Sequence, residues 1–99
     1  MLWYYRVRRL EGLDGLLRLE VLDLHGNQLG SLAGLAPLDQ LKVLNVAGNQ
    51  LRAIVDSDLR ALPRLQELNA RRNRLRKIEG LSHTPNLNKL FLSNNNIQR

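Results

Sequence analysis

Leucines recur along the chain in a phrase that appears four times, Leu-x-x-Leu-x-Leu-x-x-Asn-x-Leu, with a few apolar replacements such as Val46 and Ala70. Its central Leu-x-Leu segment alternates apolar and polar positions, which is typical of a short strand with one buried face. The phrase therefore predicts one strand in each repeat, with the strands stacked side by side. The phase of the pattern is marked by asparagines spaced 22, 24 and 22 residues apart, which are Asn27, Asn49, Asn73 and Asn95.

This period and consensus are typical of leucine-rich repeat proteins. They predict an α/β right-handed solenoid with a parallel β-sheet on its concave face and a mostly irregular or 3₁₀ convex side. We expect a single 1–99 domain made of a partial repeat, 1–18, followed by repeats 19–40, 41–64, 65–86 and 87–99. Neither end carries a polar cap of the kind that solenoids need, so the chain is interpreted as a fragment of a longer array or as a chain whose caps come from a partner.

The second repeat is two residues longer than the first, and its extra length predicts a short helix on the convex side. Asp56 or Ser57 is the expected N-cap, and Pro63 is expected to end the helix soon afterwards.

The front of the chain also fits the repeat when the pattern of the first full repeat is shifted 22 residues toward the N-terminus. This alignment pairs Leu2 with Leu24 and Trp3 with His25, and it puts Tyr5 where the other repeats have asparagine.

The four asparagines are interpreted as scaffold. A side-chain amide carries both donors and an acceptor, and we expect each one to satisfy backbone groups of the neighbouring turn. Because every repeat needs this residue, a structural role is favoured over chemistry.

Outward-facing strand positions form columns across the predicted concave face. Aromatic side chains are enriched at binding hot spots, so Trp3 and Phe91 suggest a groove with an aromatic anchor at either end. The alternative is that these two side chains only cover exposed termini. The predicted partner-binding residues are Trp3, Asp23, His25, Asn45, Asn69, Arg71, Lys89 and Phe91.

The chain is basic, with a net charge of +6 from 15 Lys and Arg against 9 Asp and Glu. Such a balance favours an acidic partner. Clustered guanidinium groups could hold carboxylates or phosphates through forked hydrogen bonds. The alternative is a solvated edge whose charge is partly offset by Glu67 and Glu79. The densest predicted cluster comprises Arg71, Arg72, Arg74, Arg76 and Lys77.

Sequence features of an enzyme are missing. The two histidines, His25 and His83, fall on different repeats and on opposite predicted faces, and the chain has no cysteine. No phosphate-binding loop or paired catalytic carboxylates can be recognised. Asp56 and Asp58 are better explained as a helix start than as metal ligands. We therefore expect no enzymatic activity, no cofactor and no metal.

Apolar runs in the sequence are only a few residues long, and the N-terminus has no secretory signal pattern. Without cysteine, the ends cannot be closed by disulfide-bonded caps. These features together predict no membrane span and an intracellular, cytoplasmic protein.

The phrases 10–13, 19–29 and 90–97 resemble the short leucine-rich repeat class that includes protein phosphatase 1 regulatory subunits, an axonemal dynein light chain and the tubulin polyglutamylase complex subunit. The resemblance implies a non-enzymatic protein-interaction scaffold in a ciliary, cytoskeletal or phosphatase-regulatory setting. We expect a partner on the concave face, and a sharper expectation is an acidic segment such as a tubulin tail. The alternative is a scaffold within a nucleic-acid-associated complex, although the low aromatic content, 4%, makes direct nucleic-acid binding the weaker hypothesis.

Overall fold

Parallel strands stacked in chain order build the molecule, for which the computed structural model describes residues 2–3 and 15–97. Short convex segments connect most of the successive strands. The elements are β1 (Leu2–Trp3), β2 (Val21–Asp23), β3 (Val43–Asn45), β4 (Ala53–Ile54), α1 (Asp56–Arg60), β5 (Glu67–Asn69), β6 (Lys77–Ile78), a 3₁₀ helix (Leu81–His83) and β7 (Lys89–Phe91).

The concave sheet has the order β1-β2-β3-β5-β7, and every neighbouring pair in it is parallel. Its register places Leu22, Leu44, Leu68 and Leu90 side by side. Because side chains alternate between the two faces of a strand, this row of leucines points into the core while both flanking residues point outward. The predicted solenoid with a parallel concave sheet is confirmed.

The core is a leucine stack that runs the length of the described chain, and convex residues such as Leu35, Leu38 and Leu62 close it from the opposite side. Ala70 occupies the inward position that Leu24 fills in the first full repeat, and both are fully buried. Within the described part of the chain, every buried side-chain nitrogen or oxygen has a hydrogen-bond partner.

The predicted alignment of the first strand is wrong by two residues. β1 pairs Leu2 with Leu22 and Trp3 with Asp23, so Trp3 does not lie beside His25. Strand alternation has a period of two, and a two-residue shift therefore leaves the same side chains on the same face. The hydrophobic pattern could not distinguish the two registers. The predicted places of Met1 and Tyr5, and the motif at 10–13, lie outside the described residues.

The convex side contains a second, two-stranded sheet that the sequence did not indicate. β4 and β6 pair in parallel, with Ala53 opposite Lys77 and Ile54 opposite Ile78. These strands lead into α1 and the 3₁₀ helix, which begin two residues after Ile54 and three residues after Ile78. None of the helices in the described ranges has the length and apolarity needed to cross a bilayer.

The helix α1 lies where it was expected, but its predicted N-cap is wrong. Val55 is the N-cap, Asp56 is the first helical residue, and the cap is stabilised from inside the helix. The buried carboxylate of Asp58 accepts the Val55 N–H at 3.0 Å. Burial raises the pKa of Asp58, and this hydrogen bond opposes part of the rise. The capping bond therefore joins the third helical residue to the N–H of the N-cap, and neither Asp56 nor Ser57 is the capping residue.

Asp56 instead joins two convex segments. One of its carboxylate oxygens lies 2.9 Å from Nε2 of His83 in the 3₁₀ helix, and the other accepts from Arg60 at 2.6 Å. Gly80 makes the approach possible, because a Cβ there would lie 3.0 Å from the Asp56 backbone. Its φ of +85° also favours glycine.

The recurring asparagines hold successive turns together. Asn49 donates through Nδ2 to the carbonyl of Val46 in its own turn and to that of Leu24 in the preceding one, both at 2.9 Å. Its Oδ1 accepts the N–H of Leu29 at 3.0 Å. Asn73 and Asn95 repeat the same arrangement one and two turns further along. Each carboxamide therefore connects two neighbouring repeats.

Substituting Asn49→Ala would leave the Leu29 N–H without its partner. It would also remove one of two donors from the carbonyls of Leu24 and Val46, which keep those of Asn27 and Asn73. We expect the free energy of unfolding to fall by about 2 to 4 kcal/mol, because buried polar groups lose their hydrogen bonds. Asn45→Ala is the matched control, since its half-buried side chain accepts only the Ala47 N–H; we expect a loss of about 0.5 to 1 kcal/mol. Urea denaturation measures both, and equal losses in the two variants would contradict the account.

Candidate partner-binding surface

Three of the predicted concave residues stabilise the turn that follows their strand. Asp23, Asn45 and Asn69 lie side by side in the sheet. Each side-chain oxygen accepts the backbone N–H two residues later, at 3.1 to 3.2 Å, from His25, Ala47 and Arg71 respectively. This local bond is the usual way in which Asp and Asn side chains end a strand. These residues therefore shape the edge of the concave face as well as lining it.

His25 is exposed at this edge and is oriented by Asp23. Its Nδ1 lies 2.7 Å from the Asp23 carboxylate, which also accepts the His25 backbone N–H. The two side chains form a small polar corner. His83 lies on the convex side against Asp56, so the structure keeps the two histidines apart.

The row of acceptors formed by Asp23, Asn45 and Asn69 does not continue into the last repeat. Phe91 occupies the position that Asn69 holds one repeat earlier, and it has no side-chain acceptor for the following turn. The guanidinium carbon of Arg71 lies 4.2 Å from the centroid of the Phe91 ring. Such a cation–π contact is worth about 0.5 to 1 kcal/mol at an exposed site. Arg71 is exposed and Phe91 is half-buried, so the pair presents a flat cationic and aromatic surface on the concave face.

The lysines of the predicted site have carboxylate neighbours. Lys89 lies 3.9 Å from Glu67 on the concave sheet, and Lys77 lies 4.0 Å from Glu79. All four side chains are at least one-third exposed, and ion pairs of this kind contribute little to stability. Their charges partly cancel, so the positive potential of the region comes chiefly from its arginines.

The remaining arginines of the predicted basic cluster lie on the loop edge of the sheet. Arg74 and Arg76 line an open depression together with Arg52 and Asn96. The sequence did not indicate Arg52, because it lies in the preceding repeat, outside the basic run. The 24-residue spacing of Arg52 and Arg76 was the available signal, and the bond from the Arg76 N–H to the Arg52 carbonyl, 2.9 Å, shows that the two positions are stacked.

Arg72 has an unusual backbone. Its φ is 57°, at the position where the two preceding repeats have Gly26 and Gly48, both with φ of 69°. Left-handed backbone is unfavourable for a residue with a Cβ. An arginine therefore stands at a position where glycine would be less strained, and such outliers often mark functional sites.

The register of β1 puts Trp3 in the same column as Asp23 and Asn45, with Phe91 at the far end. In the described ranges, no group of three or more His, Asp or Glu side chains is arranged to hold a metal ion. What the surface presents is a row of polar turn-forming side chains that ends in the Arg71 and Phe91 pair, with an arginine-lined edge beside it.

Comparison with known proteins identifies the repeats. The family model described as Leucine rich repeat matches residues 18–75, and a second, described as Leucine Rich repeats (2 copies), matches residues 63–99. No curated protein matches the sequence.

Among solved structures, internalin C2 from Listeria monocytogenes is similar, with 32% identity over 95% of this chain and a TM-score of 0.84. Another internalin from the same organism is 26% identical over 98% of the chain, with a TM-score of 0.59. The chain spans 41% and 36% of the lengths of these two proteins.

The strained backbone at Arg72 gives a direct test. We expect Arg72→Gly to raise the free energy of unfolding by about 0.5 to 1 kcal/mol, because relief of left-handed strain outweighs the added freedom of the unfolded chain. Arg74→Gly is the control, since φ of Arg74 is not positive, and there we expect a loss of about 0.5 to 1 kcal/mol. Thermal denaturation measures both changes, and a fall in stability for Arg72→Gly would show that the backbone at this position is not strained.

Proposed function

Because the chain belongs to the leucine-rich repeat family, we propose that it is a non-enzymatic scaffold that binds a protein partner on its concave face. Solenoids of this kind present an extended concave surface, and binding is its usual use. The proposed contact residues are the partner-binding residues predicted for the concave face. Among them, the Arg71 and Phe91 pair is the proposed anchor.

The observation that carries this proposal is the Arg71 and Phe91 pair. The scaffold needs an Asx-type acceptor at this strand end, as Asn45 and Asn69 show. The Phe91 side chain cannot accept that hydrogen bond, and its half-exposed aromatic ring lies on the surface instead. Aromatic residues and arginine are the residue types most enriched among binding hot spots. Phe91 replaces the usual Asx residue and lies against Arg71, and this combination of an aromatic residue with arginine supports a binding role.

An acidic segment is the partner that the charges favour. The chain has six more basic than acidic groups, and none of the described carboxylates lies within 4 Å of the Arg71 guanidinium in an ion pair. A carboxylate of a partner could accept hydrogen bonds from the edge of the Arg71 guanidinium, in its plane, while the ring of Phe91 covers one face of the group. Binding of this kind weakens as salt screens the charges.

The cellular setting stays a prediction. A phosphatase-regulatory, ciliary or cytoskeletal role and an intracellular location follow from the resemblance and from the absence of cysteine. The nucleic-acid-associated scaffold remains the alternative function. The aromatic content of the chain is only 4%, and Arg71 already covers the ring of Phe91, so base stacking has little support.

The anchor is tested with the double variant Arg71→Gln, Phe91→Asn. Asparagine at 91 restores the residue type found at the same position in the two preceding repeats, so we expect the fold to be kept. Partners cross-linked to the protein in its native cells would be quantified by mass spectrometry. We expect the recovery of specific partners to fall at least about tenfold, as for the loss of a hot spot.

A convex-side variant is the control for this experiment. Arg60→Gln with Arg64→Gln removes two positive charges from residues whose side chains bond Asp56 and Gln40. We expect it to retain the partners. Undiminished recovery with the concave double variant, while its circular dichroism matches that of the native protein, would refute the proposed anchor.

A further inference from the structure

Three arginines and one amide surround a depression on the loop edge of the sheet. Arg52, Arg74, Arg76 and Asn96 line it, and the three arginines are exposed. The four lining residues come from three successive repeats. Arg74 and Arg76 belong to one basic run, and the fold brings Arg52 and Asn96 to them.

The backbone under these side chains is firmly held. The Arg74 N–H donates to the Leu51 carbonyl at 2.8 Å, and the Asn96 N–H donates to the Leu75 carbonyl at 2.9 Å. The N–H groups of Leu51 and Leu75 in turn donate to the buried or half-buried carboxamides of Asn73 and Asn95. The recurring asparagines thus fix the backbone from which the arginines project. A ligand would therefore have to order only the arginine side chains, which lowers the entropic cost of binding.

These arginines have no counter-ion among the described residues. Lys42, Arg60, Lys77 and Lys89 each lie within 4.0 Å of a carboxylate. For Arg52, Arg74 and Arg76 no such neighbour exists in the described part of the chain. Three like charges gathered around one depression without compensation repel one another, and an external anion would remove that repulsion.

We propose that this depression, which we call the arginine pocket, binds a phosphomonoester group carried by the protein partner. A phosphomonoester brings close to two negative charges and three acceptor oxygens, which match three guanidinium donors. A single carboxylate brings one charge and two oxygens and would leave part of the pocket unmatched. The proposal rests on the proposed function, because it assumes a protein partner.

A phosphorylated peptide is favoured over a nucleic acid by the surroundings of the pocket. Arg71 lies three residues before Arg74 in the same turn. A segment that binds the Arg71 and Phe91 pair and leaves the concave face along this turn would reach the pocket. Non-specific binding of single-stranded nucleic acid combines a long basic groove with several stacking aromatics, whereas the described lining of the pocket contains no aromatic side chain.

Nuclear magnetic resonance titration of the full chain tests the proposal. The probe is a five-residue Gly-Ser-based peptide with one central phosphoserine, and the comparison probes carry glutamate or unmodified serine at that position. We expect saturable shifts at the amides of Arg52, Arg74 and Arg76, with a Kd at least about tenfold lower for the phosphoserine peptide than for the glutamate peptide. Equal Kd values for these two peptides would overturn the proposal.

Variants assign the shifts to the arginine pocket. We expect Arg74→Gln with Arg76→Gln to remove saturable binding of the phosphoserine peptide. The control pair Arg60→Gln with Arg64→Gln loses the same charge and should bind as the native protein does. The concave double variant Arg71→Gln, Phe91→Asn should also keep this binding, so failure of the concave anchor and failure of the pocket are distinguishable. If the pocket variant and the control pair lost phosphoserine-peptide binding equally, net charge alone would explain the loss. That result would overturn the proposal of an arginine pocket.

Two further probes separate the sources of phosphate. Inorganic phosphate is expected to bind more weakly than the phosphoserine peptide, and equal affinity would overturn the assignment to a peptide. An eight-nucleotide oligouridine that binds more tightly than the peptide and shifts the same amides would overturn it in favour of nucleic acid.

Discussion

The structure depends on one buried hydrogen-bonding group, the asparagine carboxamide that connects each turn to the one before it. Asn49 and Asn73 each bond a carbonyl of their own turn, a carbonyl of the preceding turn and an N–H of that turn. The tight bend after each strand turns backbone groups toward the interior, where water cannot reach them. One side chain with two donors and an acceptor satisfies them and sets the stacking of the repeats.

This constraint separates scaffold positions from positions that are available for binding. Leucines and asparagines are needed in every repeat, and the Asx acceptors at Asp23, Asn45 and Asn69 add a second structural row on the concave face. Phe91 departs from the pattern by losing the acceptor, and Arg72 and Asn94 take left-handed backbone without being glycine. These departures lie in the last two repeats, and we propose that the functional centre lies there.

Much of the fold could be predicted from the sequence because the repeat encodes it directly. Leucine alternation fixed which strand residues face the core, and the asparagine phase fixed the stacking from Leu22 to Leu90. Where the phase marker is missing, at the front of the chain, the register of Trp3 was wrong, because a two-residue shift keeps the same alternation. The N-cap at Val55 depends on a local bond from its N–H to Asp58, which a search for a polar capping residue overlooks. The Asp56 and His83 contact and the β4–β6 pair depend on convex packing that no local pattern reports. The same is true of Arg52, which stacking alone brings to Arg74 and Arg76.

Amide hydrogen exchange at Leu29, Leu51 and Leu75 tests the central constraint most directly. These three N–H groups lie outside the strands and donate to the carboxamides of Asn49, Asn73 and Asn95. If the asparagines hold the stack together, these amides exchange only on global unfolding, as slowly as the strand amides of β3 and β5. The Ala33 amide, which donates to the exposed Ser31 hydroxyl, is the comparison and should exchange much faster. Exchange of Leu29, Leu51 and Leu75 at the rate of Ala33 would contradict the account.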